Sequence, residues 1–281
     1  MTFIFFKGGF LINNISFLGP KGTHTHQAAS KIGENLISYC TIPAVFESVA
    51  NGECKKGVVP IENSIEGPVG QTLDLFAHKY DLKISGEIVT PIEHCLLVNK
   101  GSDLDDITDV YSHSQALAQC GEFLSDLNAQ SHYAISTANA AKSIVGNPNM
   151  AAIGNSKSAE LYDLDIIAKG IQDTDNNETR FVIISKEDPE PSDNDKTSII
   201  FSIYEDNPGE LYKILGLFLK ENVNLTKIES RPSKKGLGKY LFYVDFHGHR
   251  KNPNIKGILN KIDANTSFLK IIGSYPEFKE E

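Results

Sequence analysis

The run Val58-Val59-Pro60-Ile61-Glu62-Asn63-Ser64-Ile65-Glu66-Gly67 decides how this chain is read. An apolar strand ends at a proline. It then presents a carboxylate, an amide and a hydroxyl in succession, with a glycine close behind. A strand that ends in convergent polar groups is where open α/β sheets place ligand chemistry. Taken alone, the same residues also fit a polar loop with a helix cap.

A second run carries the matching signal. Asn177-Glu178-Thr179-Arg180-Phe181 precedes the apolar stretch Val182-Ile183-Ile184. Residues 1–195 hold 13 Lys and Arg against 26 Asp and Glu, and Arg180 is the only arginine among them. Residues 196–281 hold 14 against 10, so the C-terminal part is weakly basic. Arginine grips a carboxylate at two points better than any other side chain. Arg180 is therefore expected to bind one; the competing reading is a surface ion pair.

The chain of 281 residues has room for about two domains with their own cores. Its acidic balance, with a pI near 5.4, argues against a nucleic-acid surface. Cys40, Cys54, Cys95 and Cys120 are widely spaced, with no CxxC. They read as small core hydrophobes in a reducing compartment, not as a metal knuckle or a disulfide scaffold. No apolar run approaches the ~20 residues of a membrane span. Residues 1–14 lack a basic leader, and Lys7 interrupts their apolar run. They read as an extra segment before a first strand at Ile15, and the expected location is the cytoplasm.

Residues 15–186 alternate short apolar strands with helical patterns, which predicts a mostly parallel α/β sheet. Strands are expected at Ile15–Leu18, Leu36–Ile42 and Gly57–Pro60. A helix starts at Thr23. The extended segment 82–99, interrupted at Thr90-Pro91, crosses into a second lobe. There Ser114 is expected to cap a helix whose buried face is Leu117, Cys120, Leu124 and Leu127. Residues 166–171 and 181–185 return to the first lobe, so that paired crossings enclose a cleft. The expected divisions are lobe 1 at about 15–95 and 172–186, lobe 2 at about 96–171, a Pro-rich acidic linker at 187–196, and a second domain at 197–275. That second domain reads βαββαβ, a ferredoxin-like plait. Asn207-Pro208-Gly209-Glu210 is its first helix start, with Asn207 as cap.

With these residues in hand, the chain resembles the prephenate dehydratase family over nearly its whole length. The carrying runs are Phe17-Leu18-Gly19-Pro20-Lys21-Gly22-Thr23, Val59 to Ser64, Ser112-His113-Ser114-Gln115-Ala116-Leu117-Ala118-Gln119-Cys120, and Thr179-Arg180-Phe181. In the second domain, Pro208-Gly209-Glu210-Leu211 and Glu229-Ser230-Arg231-Pro232 look like the two ligand signatures of an ACT domain. His24 stands where the family usually has an aromatic, Ser114 where proline is common, and Glu210 where a small residue is usual. A chorismate mutase module, present in some members, is not seen before Ile15, so the monofunctional form is expected.

The resemblance implies a two-lobed, periplasmic-binding-protein-like catalytic domain followed by the ACT domain. It implies decarboxylating dehydration of prephenate to phenylpyruvate, with no cofactor or metal, and feedback by phenylalanine. The family's essential hydroxyl maps onto Thr179. Substrate-binding residues are expected to be Thr23, Asn63, Ser64, Ser112, His113, Gln115, Arg180 and Phe181. Thr23 also reads as a helix cap, Asn63 and Ser64 as turn residues, and His113 as a packing residue. Effector contacts are expected from Asn207, Pro208, Gly209, Glu210 and Leu211 and, across a dimer, from Glu229, Ser230, Arg231 and Pro232. Self-association through ACT domains, as a dimer or tetramer, follows. The alternatives are arogenate dehydratase, with an amino group in place of the substrate's side-chain keto group, and a solute-binding or amino-acid-sensing protein without catalysis.

Overall fold

The computed structural model describes residues 13–279 apart from 206, 235 and 237; the extra segment expected at residues 1–14 thus lies almost wholly outside the described residues. The chain opens with β1 (Ile15–Leu18), α1 (His24–Ser30), β2 (Leu36–Tyr39), α2 (Ile42–Asn51), β3 (Lys56–Asn63), the short β4 (Gly67–Pro68), α3 (Gly70–His78) and β5 (Lys83–Pro91). A second group follows: β6 (Cys95–Val98), β7 (Asp109–Ser112), α4 (Ser114–Ala118), α5 (Gly121–Asp126), β8 (Gln130–Tyr133), α6 (Thr137–Ser143), β9 (Met150–Gly154), α7 (Ser156–Tyr162) and β10 (Asp165–Lys169). The last group is β11 (Glu178–Ser185), β12 (Asp195–Ser202), α8 (Glu210–Lys220), β13 (Leu225–Pro232), β14 (Tyr240–His247), α9 (Pro253–Ala264) and β15 (Phe268–Pro276).

Three sheets result. The first runs β2-β1-β3-β11-β5, with β4 on β3; the second runs β10-β6-β9-β7-β8; the third runs β13-β14-β12-β15. The expectation of mostly parallel sheets needs correction. In the first sheet β11 is antiparallel to both β3 and β5, because the chain re-enters it from the second sheet. In the second, β6 is antiparallel to β9 and β10, and only the β9-β7-β8 side is parallel.

Local chemistry sets several boundaries differently from the sequence pattern. The Ser114 cap is in fact His113, whose Nδ1 accepts from Gln115 N–H at 3.4 Å. The helix expected through Leu117 and Leu127 is two short helices, broken between Ala118 and Gly121. In the third sheet, Gly209, not Asn207, precedes α8, in a left-handed conformation with φ 89°. Three of the four cysteines are buried as expected, whereas Cys40 is exposed; all four are free. Among the described residues no helix is long and apolar enough to cross a membrane.

Besides cores of their own, the two units share one. The third sheet lays Ile199, Phe201, Val244 and Phe246 against α8 and α9. Its other face puts Ile200, Leu241, Tyr243, Ile272 and Tyr275 into the same cluster as Val45, Phe46, Leu73 and Phe76 of α2 and α3. Each large aliphatic side chain so buried contributes about 1.5–3 kcal/mol. At Gly273 of β15 a Cβ would lie 2.4 Å from the carbonyl oxygen of Ile84 on β5, so only glycine permits this approach.

Candidate active site

The first and second sheets are joined by two crossings, residues 92–94 outward and 170–177 on return. The crossings bond to each other: Ile92 N–H donates to Asn177 O at 2.7 Å, Ile171 N–H to His94 O at 3.1 Å, and His94 N–H to Gln172 Oε1 at 2.9 Å. Beside them lies a cavity of about 370 Å³. Thr23, Asn63, His113, Gln115, Thr179 and Phe181 line it, so six of the expected residues meet there. His24, His94, Gln119 and Asn177 line it as well.

A bulge in β3 explains which residues point inward. Arg180 and Phe181 are consecutive on β11, yet their partners are Glu62 and Pro60, leaving Ile61 unpaired. An extra residue in one strand resets the alternation of faces. Asn63 and Pro60 therefore both face the cavity with Thr179 and Phe181, while Glu62 and Ile61 share the opposite face with Arg180 and Val182.

The polar side chains form one connected network. Asn63 Oδ1 accepts from Ile65 N–H at 3.0 Å and Glu66 N–H at 2.9 Å. Two backbone donors fix the amide's orientation. Its Nδ2 then donates to Asn177 Oδ1 at 2.7 Å and Thr179 Oγ at 2.9 Å, and lies 3.1 Å from Glu178 O. Asn177 in turn presents Nδ2 to Gln119 Oε1 at 3.3 Å. Gln119 Oε1 is thus an acceptor, and His94 Nε2, 2.9 Å from it, must carry the hydrogen. Burial lowers the His94 pKa, partly opposed by this hydrogen bond, so the ring is neutral with Nδ1 unprotonated. Thr179 Oγ already accepts from Asn63, and among the described residues no group takes its hydrogen. The hydroxyl is left as a donor to the cavity.

The remaining expected residues are placed otherwise. Thr23 lines the cavity and also caps α1: its Oγ accepts from His26 N–H at 3.3 Å and donates to Pro20 O at 3.0 Å. Ser64 does not line it; its Oγ clasps the start of β11, donating to Asn176 O at 3.1 Å and accepting from Glu178 N–H at 2.9 Å. Ser112 is fully buried beneath the second sheet's rim and donates to Ile153 O at 2.8 Å.

Arg180 needs the largest correction. Strand alternation turns it away from Thr179, to the face covered by the third sheet. Its guanidinium pairs with Asp245 Oδ2 at 2.6 Å, Glu87 Oε2 at 3.1 Å and Glu62 Oε2 at 3.3 Å. Lys196 joins Glu87 at 2.8 Å and Lys227 joins Glu62 at 3.0 Å. Burial works against the guanidinium charge, but Asp245, Tyr275 and Glu87 outweigh it and raise its pKa. Arg180 is thus not among the residues that line the cavity.

In the third sheet, Asn207, Pro208, Gly209, Glu210 and Leu211 form the entry to α8. Asn207 O accepts from Glu210 N–H at 3.3 Å, and Glu210 Oε1 pairs with Lys213 at 2.6 Å. Glu229, Ser230, Arg231 and Pro232 end the edge strand β13. Arg231 faces the catalytic unit, bonding Asp74 of α3 at 3.3 Å and lying over Gly70.

Motifs did not point to His94, Gln119 or Asn177 as site residues. Asn177 and Gln119 lie within the runs 177–181 and 112–120 without being singled out there, whereas His94 lies in neither and joins them only through the crossings. Among the described residues no group of three or more His, Cys, Asp or Glu is arranged to hold a metal ion.

Comparison with known proteins agrees with this layout. A family model described as prephenate dehydratase matches residues 15–189, and one described as ACT domain matches 197–264. The chain is 43% identical to the prephenate dehydratase of Methanocaldococcus jannaschii, over 92% of this chain and 96% of that one. It is 44% identical to the bifunctional chorismate mutase/prephenate dehydratase of Aquifex aeolicus, over 94% of this chain and 73% of that one. The solved prephenate dehydratase of Arthrobacter aurescens, in complex with L-Phe, superposes with TM-score 0.85 at 34% identity, covering 94% of this chain and 89% of that one. On both halves of its length and in the architecture that joins them, this chain belongs to the prephenate dehydratase family.

Proposed function

We propose that the cavity between the two sheets carries out the decarboxylating dehydration of prephenate to phenylpyruvate, water and carbon dioxide. The observation that carries the reading is the Thr179 hydroxyl. Asn63 occupies its acceptor side, so its hydrogen is directed to a ligand. A preorganised donor of this kind stabilises negative charge as it develops on the departing ring oxygen. Thr23, Gln115 and the Gln119 amide supply further neutral groups. Aromatisation of the ring drives the reaction, so the protein needs only to orient the substrate and serve the leaving hydroxyl.

The charge of the site fits this task. Among the described lining residues there is no Lys, Arg, Asp or Glu. A fixed cation on the ring carboxylate would stabilise the ground state and slow its loss as carbon dioxide. The lack of a carboxylate favours prephenate over arogenate, whose ammonium would call for one.

Phenylalanine is the proposed effector, held at the start of α8 where Gly209 opens the backbone. The edge strand β13, whose own Ile228 is half exposed, is the proposed seam for a second copy. The four free cysteines suit a reducing cytoplasm. The test is a coupled assay offering prephenate and arogenate side by side, with and without phenylalanine. Phenylpyruvate formed from prephenate and suppressed by phenylalanine is expected; preferential turnover of arogenate overturns the substrate reading.

A further inference from the structure

The reaction consumes a proton, and Thr179 cannot be its source alone. Its oxygen is held by an amide, Asn63, which has no proton to pass on at neutral pH. An alcohol that gave up its own proton would need immediate reloading. The titratable side chains among the described lining residues are His24, His94 and His113.

These three differ in what they already do. His113 Nδ1 is engaged at the start of α4, and His94 Nε2 donates into the Gln119 network. His24 Nδ1 and Nε2 are buried with no well-formed hydrogen bond, the Gln27 side chain being the polar neighbour that favours the charged ring. Buried polar atoms in native proteins are nearly always satisfied, so two on one ring call for an explanation. His94 Nδ1 and Gln119 Nε2 are unsatisfied in the same way. The rings of His24 and His94 meet edge to face, with centroids 6.3 Å apart. The bland account is that His24 fills a place an aromatic would fill equally well. That account leaves four buried polar atoms without well-formed hydrogen bonds around one cavity.

Resting on the prephenate reading, we propose that His24 is the proton donor of this site, taking up one proton as the dianionic substrate enters and delivering it to the departing ring hydroxyl. The ring C–O bond breaks, and its electron pair stays on oxygen, which takes the proton from His24 and leaves as water. The C–C bond to the ring carboxylate breaks, and its pair completes the aromatic ring as neutral carbon dioxide departs. A dianion plus one proton thus gives the phenylpyruvate monoanion, and His24 returns to neutral.

The electrostatics support this cycle. In the ligand-free cleft, burial and then His94 lower the His24 pKa to about 4, with the Gln27 side chain opposing. His94 comes from the crossing segment, Gln27 from the same helix, and His113 also lines the cavity. Two substrate carboxylates in this cleft act in the opposite direction and favour the imidazolium. The proton therefore arrives with the substrate and is absent without it.

Two measurements test the proposal. Titrating the Thr179→Ala protein with prephenate in buffers of different ionisation enthalpy should register uptake of about one proton, and the Thr179→Ala/His24→Gln protein close to none. In turnover, kcat/KM of the wild type should fall about tenfold per pH unit above the free-enzyme pKa. His24→Gln should lose that slope, with kcat reduced about tenfold or more at an unchanged melting temperature. Should the Gln variant fold poorly, His24→Ala with added imidazole replaces it, and rescue of kcat is expected. Wild-type kcat and pH slope in His24→Gln, or equal proton uptake by both proteins, overturns the proposal while leaving the substrate reading intact. No turnover of prephenate by the wild type overturns both.

Discussion

Arg180 of β11 and Asp245 of β14 meet at 2.6 Å beneath the strand pair whose other face carries the Thr179 hydroxyl. Thr179 pairs with Asn63 across the ladder, and Arg180 pairs with Glu62 one step on. Both residues on the cavity face thus have a chain neighbour tied to the third sheet, Glu62 through Lys227 and Arg180 through Asp245. The regulatory unit therefore grips the back of the strands that carry the cavity's donors.

Removing the guanidinium should damage the fold before it damages binding. Arg180→Met leaves buried Asp245 without its ion-pair partner and Glu87 with Lys196 alone, and breaking a buried pair typically costs about 3–5 kcal/mol. Arg180→Lys should be intermediate, since an ammonium cannot span three carboxylates in one plane. Denaturant unfolding and the Michaelis constant for prephenate are to be compared. A large rise in KM at unchanged stability would restore Arg180 as a substrate ligand.

The direction of the Asn63–Thr179 hydrogen bond can be inverted. Asn63→Asp keeps an acceptor for the Ile65 and Glu66 amides but replaces the donor to Thr179 by a second acceptor. The Thr179 hydrogen should then turn back to the carboxylate. We expect kcat to fall by about two orders of magnitude, close to the roughly 3 kcal/mol expected for Thr179→Ala, with little change in KM. Thr179→Ser should retain much more. Steady-state kinetics of the three variants decide it, and an Asn63→Asp enzyme within a few-fold of wild type would refute the assigned polarity.

Acid should weaken the protein through its buried histidines. The folded pKa of His24, about 4, lies below the unfolded value near 6.5, and that of His94 is also lowered. Between these values the unfolded chain binds more protons. The stabilising contribution of neutral His24 is present above pH 6.5 and is lost as pH falls toward 4. Melting temperature should therefore decline over this window, and less steeply in His24→Phe. Identical pH profiles for the two proteins would speak against buried neutral imidazole.

Phenylalanine binding should depend on Gly209. Nothing lies within 4 Å of where its Cβ would be, so a substitution meets no steric block from neighbours. The constraint is conformational, since φ 89° is strained for any β-branched residue. Gly209→Val should abolish phenylalanine binding by isothermal titration while prephenate turnover without effector persists. Equal phenylalanine inhibition of both proteins would place the effector elsewhere.

Sequence by itself determined most of the element order, the βαββαβ plait and six of the residues that line the cavity. These follow from local periodicity and from polar residues placed at strand ends, as at Asn63 where β3 stops and Thr179 where β11 begins. What sequence left open was which side of a strand each residue serves. Thr179 and Arg180 are adjacent, and only the pairing of β11 between β3 and β5, with Ile61 bulged, sends one to the cavity and the other to the third sheet. His94, Gln119 and Asn177 are up to 83 residues apart in the numbering, so their network exists only because both crossings are bonded side by side. The shared core was equally hidden. Apolar alternation in β12 marks a buried face, but Ile200 and Ser198 turn to a second buried face because the catalytic unit covers it. A pattern along one chain records which residues shun water; the partner that excludes the water is chosen by the tertiary fold.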